Sequence, residues 1–109
     1  MDKISKYLFD IQAAISLIDS FMIDTVSFGQ YQNDIKTQSA VERQLAIIGE
    51  AVNKIKQEDT KFELSNAKRI IDFRNRLIHS YDSIDNSIVW VIIKRHLPIL
   101  KKEIENLLS

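Results

Sequence analysis

Apolar residues recur at spacings of three and four residues along most of this chain, a rhythm typical of helices that each bury one face. Two glycines and one proline in 109 residues are too few for many turns. We therefore predict an all-α protein, a four-helix bundle that becomes five-helical if Pro98 breaks the last helix. The repeating positions are Ile4, Leu8, Ile11, Ile15, Ile18 and Met22 in the first helix, and Val41, Leu45, Ile48, Val52 and Ile55 in the second.

Polar stretches and capping residues set the predicted boundaries. The first helix should run from about residue 2 to 23 and the second should begin at Asp34, with residues 24–33 and 57–64 as irregular connections. Ser65 is expected to cap a third helix that extends from about residue 66 to 79. Residues 80–85 are predicted to form a turn, and Asp85 or Asn86 to cap the last helix, whose buried line is Val89, Ile93, Leu97, Leu100, Ile104 and Leu107. No linker or repeat interrupts residues 1–109, so we expect a single domain.

Charge and composition exclude several classes of function. Fifteen basic and fifteen acidic residues cancel, so any binding of nucleic acid must use a local patch. The absence of cysteine excludes disulfides and thiol chemistry. His96 has no partner at ligand spacing, and we expect neither a metal nor a cofactor. The N-terminus lacks the layout of a signal peptide, and the longest apolar run is too short for a membrane span, so a cytoplasmic protein is expected.

That longest apolar run, Ile88–Ile93, is apolar on all sides. A small bundle cannot bury every side of one helix within its own chain. The surplus, including Trp90, predicts a homodimer interface. The alternative is a well-buried central helix with Trp90 in the core.

Successive residues of a helix are about 100° apart around its axis, and this spacing gives the predicted third helix two different faces. One arc is apolar, with Arg74 near its middle, and an arginine there is costly unless an anionic or hydrogen-bonding group meets it. We infer that the apolar arc packs into the domain and that the other face meets a partner or substrate. The apolar arc comprises Ile70, Ile71, Phe73, Leu77, Ile78 and Tyr81, and the opposite face Asp72, Asn75, Arg76 and His79.

The spacing Arg74-x4-His79-x-Tyr81 resembles the HEPN superfamily, whose motif is Arg-x(4 to 6)-His. The flanking residues are similar to the HepT branch, and the resemblance spans nearly the whole chain. Position 80 is Ser where many relatives have Gly. The residues that carry the resemblance are Phe73 to Tyr81, Ile84-Asp85, Val89-Trp90 and Ile47-Ile48-Gly49-Glu50-Ala51.

The resemblance implies the toxin of a type VII-like toxin–antitoxin system: a metal-independent endoribonuclease that works as a homodimer on RNA. Arg74 and His79 would be the catalytic pair. The implied partner is a minimal nucleotidyltransferase antitoxin, which transfers AMP from ATP to Tyr81 and silences the toxin. A rival function is a non-catalytic helical adaptor that binds nucleotide or presents substrate to that transferase, and this function does not need His79.

The chemistry of RNA cleavage agrees with these residue types. Metal-free cleavage needs a base for the 2′-hydroxyl, an acid for the leaving 5′-oxygen and positive charge at the phosphate. Histidine serves in either proton transfer, and arginine offers a fixed charged fork. Because one chain supplies one motif histidine, we expect a composite site at a dimer axis that yields 2′,3′-cyclic phosphate ends.

Helix geometry complicates this site, because Arg74 and His79 diverge by about 140° on an ideal helix. Either the helix ends or bulges before His79, or the arginine curls around, or the two groups come from different protomers.

The supporting residues have ordinary alternatives. Asp72 could orient the imidazole or join Arg74 in a buried ion network, and Asn75 could steady the substrate or His79. His79 itself is also a residue type that a helix C-terminus favours, and Tyr81 could be a core tyrosine. Gly49 is expected to permit close approach of another helix.

Glu50 is expected either to share the packing role of Gly49 or to pair with a motif arginine. Basic side chains could also track an RNA backbone, although a solvated helix face explains them as well. These are Lys54, Lys56, Lys68, Arg69 and Arg76.

Overall fold

The computed structural model describes residues 2–80 and 84–109, and this part of the chain is helical without a strand, which confirms the all-α prediction. None of its helices is both long enough and apolar enough to cross a lipid bilayer. The elements are α1 (Lys3–Phe21), α2 (Phe28–Gln32), α3 (Ile35–Glu58), α4 (Ala67–His79), α5 (Asn86–Val91), a π-helical turn (Ile92–His96) and α6 (Leu97–Leu108).

The predicted apolar stripes of α1 and α3 form the centre of the core. Every predicted α3 position is buried, as are those of α1 apart from Ile4, which is partly buried. α1 packs against α3 and α6, and α4 also packs against α3. The α3 cap is also confirmed, since the Asp34 carboxylate accepts the Thr37 N–H at 3.1 Å.

The prediction of an irregular connection over residues 24–33 is wrong, because this stretch contains α2. Ser27 and Gln30 form a variant of the capping box: the Ser27 hydroxyl accepts the Gln30 N–H at 3.2 Å, and the Gln30 side chain accepts the Val26 N–H at 2.7 Å. Tyr31 then becomes fully buried. This Ser-x-x-Gln signal is present in the sequence.

The predicted cap at Ser65 is also wrong. Asn66 precedes α4, with a left-handed φ of 65° and no side-chain capping bond. The Ser65 N–H instead donates to the carboxylate of Glu103 in α6, at 3.0 and 3.2 Å to its two oxygens. The Ser65 backbone thus bonds to a residue 38 positions away just before α4, a contact that the local sequence pattern does not reveal.

The last helix changes form ahead of Pro98, as predicted. Proline has no N–H to donate to the carbonyl of Lys94 and its ring crowds that carbonyl, and the backbone adopts a π-helical turn over Ile92–His96. The Asp85 cap is confirmed by a 2.9 Å bond from the Ser87 N–H. The predicted stripe is buried until its end, where Leu107 is exposed and Leu108 packs against the core instead.

Trp90 is held within its own chain. Its ring lies 6.0 Å from the rings of both Phe28 and Tyr31, and the Lys94 ammonium lies 4.7 Å from its centroid. Trp90 is half-buried and packs against the core of its own chain, and the predicted dimer interface at this run stays a prediction. Ile88 and Val91 of the same run remain exposed.

Candidate active site on α4

Gly49 lets α4 approach α3 closely, as predicted. A Cβ at this position would lie 2.7 Å from Arg74 Cγ and 3.2 Å from the backbone oxygen of Ile70. Any side chain at residue 49 would displace the base of the Arg74 side chain. The glycine thus sets where the arginine leaves the helix surface.

Arg74 meets an anionic partner, as its core-like position requires. Its Nη2 donates to Glu50 Oε2 of α3, and its Nη1 donates to Asn75 Oδ1 at 3.0 Å. The Arg74 side chain is 24% exposed and that of Glu50 is 40% exposed. Asn75 therefore contacts the arginine and is not engaged with His79.

The charge at this site remains positive. Lys54 Nζ lies 4.0 Å from the other oxygen of Glu50, so one carboxylate faces two cations. A guanidinium has five N–H donors, and two of those of Arg74 are engaged in these contacts. This arrangement suits an incoming phosphate.

His79 is the last residue of α4 and is exposed. The helix is regular from Ala67 to His79, and the Ser80 N–H still bonds to the Arg76 carbonyl at 2.9 Å. The alternative in which the helix ends or bulges before His79 is therefore wrong. Arg74 is turned toward α3, and residues five apart on a regular helix point about 140° apart.

The other predicted residues of α4 lie on its exposed face. The Asp72 carboxylate pairs with Lys68 at 2.9 Å, and within the described residues it bonds to neither Arg74 nor the imidazole. Arg76 is exposed and lines a groove together with Asp72. Tyr81 lies outside the described residues.

A groove of about 610 Å³ between α1, α3 and α4 adjoins the ion pair, and the sequence alone did not indicate it. The ring of Tyr7 lies in it, with the ammonium groups of Lys6 and Lys54 each 5.8 Å from its centroid. Glu42 also lines the groove, and burial raises the pKa of its carboxyl. These residues come from separate helices, so periodicity within one helix carries no signal for them.

A second contact that sequence reasoning missed joins α4 to the π-helical turn. Arg69 Nη1 lies 2.8 Å from His96 Nε2. Desolvation lowers the pKa of His96, and the charges of Arg69 and Arg95 lower it further. Because arginine is always protonated, the imidazole accepts this bond in its neutral form.

Comparison with known proteins places the chain in a family. A protein-family model described as "Ribonuclease HepT-like" matches residues 11–107. The "Probable ribonuclease HepT" of Thermococcus cleftensis is 37% identical over 102 residues, covering 93% of this chain and 92% of the relative. The "Putative RNase MJ1380" of Methanocaldococcus jannaschii is 34% identical over 103 residues, covering 94% of each. No solved structure matches the chain. The chain belongs to the HepT-like ribonuclease family of the HEPN superfamily.

Proposed function

We propose that this protein is the toxin of a toxin–antitoxin pair, a metal-independent endoribonuclease whose active site is shared by two copies of the chain. Arg74 and His79 of both copies line one cleft, and a nucleotidyltransferase silences the enzyme by adding AMP to Tyr81. Membership in a ribonuclease family supports the general activity. The geometry of α4 supports the proposal that two copies share the active site.

The regular course of α4 is the observation that carries the shared site. Arg74 points toward α3 and pairs with Glu50, whereas His79 ends the same uninterrupted helix on its exposed face. The two groups of one chain therefore diverge. A two-fold axis beside the end of α4 would let His79 of one copy face Arg74 of the other.

The reaction needs two proton transfers, and the dimer supplies two imidazoles. One His79 removes the proton of the 2′-hydroxyl, and the 2′-oxygen attacks phosphorus. The bond to the 5′-oxygen breaks, and the second His79, initially protonated, gives its proton to that oxygen. The products are a 2′,3′-cyclic phosphate and a 5′-hydroxyl. Arg74 stabilises the negative charge that develops on the phosphate.

Exposed apolar residues beside the motif support contact between two copies. Ile78, which precedes His79, is 50% exposed, and Ile47 of α3 is 37% exposed. Both line the groove between α1, α3 and α4. Burying both side chains on each copy would favour association by roughly 25 cal/mol per Å² of apolar surface removed from water. We therefore place the proposed interface at Ile78 and Ile47.

The proposed regulation is a change of charge next to the motif. The phenol of Tyr81 loses its proton to solvent as its oxygen attacks the α-phosphorus of ATP, a new P–O bond forms, and the bond to the leaving pyrophosphate breaks. The attached phosphate lies two residues from His79 in sequence. Its negative charge would pair with Arg74 and repel RNA, as in phosphorylation switches.

Mapping the cleaved ends of RNA tests the enzymatic proposal. The wild-type protein should leave 2′,3′-cyclic phosphate and 5′-hydroxyl ends, and His79→Ala should cleave at least about 100-fold more slowly, the usual cost of losing a general acid or base. Ends with a 3′-hydroxyl would refute the mechanism. Expression without the transferase separates the enzyme from an adaptor, because only an enzyme arrests growth in a manner that His79→Ala abolishes.

A further inference from the structure

Six of the fifteen basic residues of this electrically balanced chain lie in two segments that contact each other, α4 and the π-helical turn. α4 contains four lysine and arginine residues and the π-helical turn contains two, whereas Asp72 is the sole acidic residue of these two segments. The whole chain has fifteen residues of each sign. The six basic residues are Lys68, Arg69, Arg74, Arg76, Lys94 and Arg95.

The contact between Arg69 and His96 joins these segments into one surface. At 2.8 Å the neutral imidazole accepts from the guanidinium, so it fixes the Arg69 side chain without cancelling its charge. Within residues 2–80 and 84–109, no carboxylate lies within ion-pair distance of Arg69, Arg76 or Arg95. The negative charge of Asp72 is balanced by its ion pair with Lys68.

This surface leads directly to His79. Residues 69, 72, 76 and 79 follow one another at spacings of three, four and three, which places them on one exposed face of α4. A groove of about 430 Å³ runs along this face, with Arg69 and Arg76 in its lining. From Arg69 to His79 the helix rises about 15 Å, at 1.5 Å per residue.

We propose that this face, defined by Arg69, Arg76, Arg95 and His96 and called here the α4 track, binds the phosphates of RNA next to the cleaved bond. The proposal rests on the ribonuclease function above and assigns where the substrate backbone lies. The guanidinium groups of the track make no ion pair within residues 2–80 and 84–109, and such groups suit phosphate oxygens. Among the described residues that line the groove, Phe73 is the one aromatic residue and it is buried, so we expect these residues to bind the backbone without stacking a base.

Salt dependence of RNA binding tests the track, because each phosphate contact releases counterions. The protein would carry His79→Ala so that RNA stays intact, and binding of a fluorescent single-stranded RNA would be measured from 50 to 200 mM salt. Arg69→Gln with Arg76→Gln should reduce the slope of log affinity against log salt by about 1.4, at about 0.7 per contact. Over this range the parent should lose about sevenfold more affinity than the double variant.

The chain contains a matched control. Lys36 of α3 and Lys102 of α6 are exposed, line neither groove and make no ion pair within residues 2–80 and 84–109. Changing both to glutamine removes the same charge and should leave the slope unchanged. Arg95→Gln tests the track while keeping the bond between Arg69 and His96. This substitution should reduce the slope by about 0.7.

Equal slopes for the two double variants would overturn the track, as would absence of RNA binding by the parent. Unchanged RNA binding combined with lost neutralisation by the nucleotidyltransferase would assign this face to that protein and also overturn it. The two proposals fail separately. If the wild-type protein cleaves RNA but the slope of the Arg69→Gln, Arg76→Gln variant is unchanged, the ribonuclease proposal holds and the track is refuted. If the slope is reduced but the wild-type protein does not cleave RNA, the track holds and the ribonuclease proposal is refuted.

Discussion

The backbone of Gly49 in α3 lies against the side chain of Arg74 in α4, so closely that a Cβ on residue 49 would come within 2.7 Å of Arg74 Cγ. The next residue, Glu50, pairs with the guanidinium of the same arginine. Two consecutive residues of α3 thus fix both ends of the Arg74 side chain. The proposed catalytic arginine is therefore positioned by helix packing.

Gly49→Ala should destabilise the protein. An added methyl must displace Arg74 and the backbone near Ile70, and overpacking of this kind costs about 1–3 kcal/mol, which outweighs the gain in helix propensity of up to about 1 kcal/mol. Urea denaturation measures the difference. Gly29→Ala is the control, because a Cβ there meets nothing nearer than Ser27 Oγ at 3.9 Å, and it should be neutral or stabilising. Equal effects of the two substitutions would contradict the packing argument.

Glu50 and Arg74 should be energetically coupled. A double-mutant cycle built from Glu50→Ala, Arg74→Ala and the double variant is expected to give about 1 kcal/mol, because both side chains are partly exposed and water weakens the pair. The exposed pair of Lys68 and Asp72 serves as the comparison and should give a smaller coupling. A coupling of zero for Glu50 and Arg74 would mean that the carboxylate does not hold the arginine.

His96 should titrate below about 6.5, the pKa of an unperturbed histidine. Desolvation is the largest cause of the lowered pKa, and the charges of Arg69 and Arg95 lower it further. Because the folded protein favours the neutral imidazole, its stability should fall as the pH drops through the unfolded value toward the folded one. NMR titration measures this, with His79→Gln assigning the signal. Arg69→Gln should raise the pKa, and titration of the parent at or above 6.5 would contradict the contact.

Tyr81→Phe should keep the toxin active but free it from its antitoxin, since phenylalanine has no hydroxyl to receive AMP. Growth of cells that express the variant with and without the nucleotidyltransferase measures this. Tyr7→Phe, which removes a hydroxyl elsewhere, should still be neutralised. Normal neutralisation of Tyr81→Phe would refute the acceptor role.

Much of the fold could be predicted because its signals are local. The apolar spacing of α3 predicted its buried residues, and the lone proline predicted the change of helix form ahead of it. The Ser-x-x-Gln box of α2 is a local signal too, but the glycine and the polar residues around it favoured the prediction of a loop. The errors at Ser65 and Leu107 have another origin, because tertiary contacts outweighed the local pattern there.

The candidate site could be predicted only as a set of residues. The motif identified Arg74 and His79, but the partner of the arginine lies 24 residues away on another helix. The link between Arg69 and His96 spans 27 residues and depends on the π-helical turn. Such contacts depend on how two helices cross, and the apolar periodicity of a single helix does not predict the crossing.

The most direct test of the shared active site uses a dimer with one wild-type chain and one His79→Ala chain, purified through two different affinity tags. If one cleft uses both imidazoles, one for each proton transfer, this dimer should lose at least about 100-fold of the ribonuclease activity of the wild-type dimer. Half of the wild-type activity would show two independent sites that each use a single imidazole, and would contradict the account.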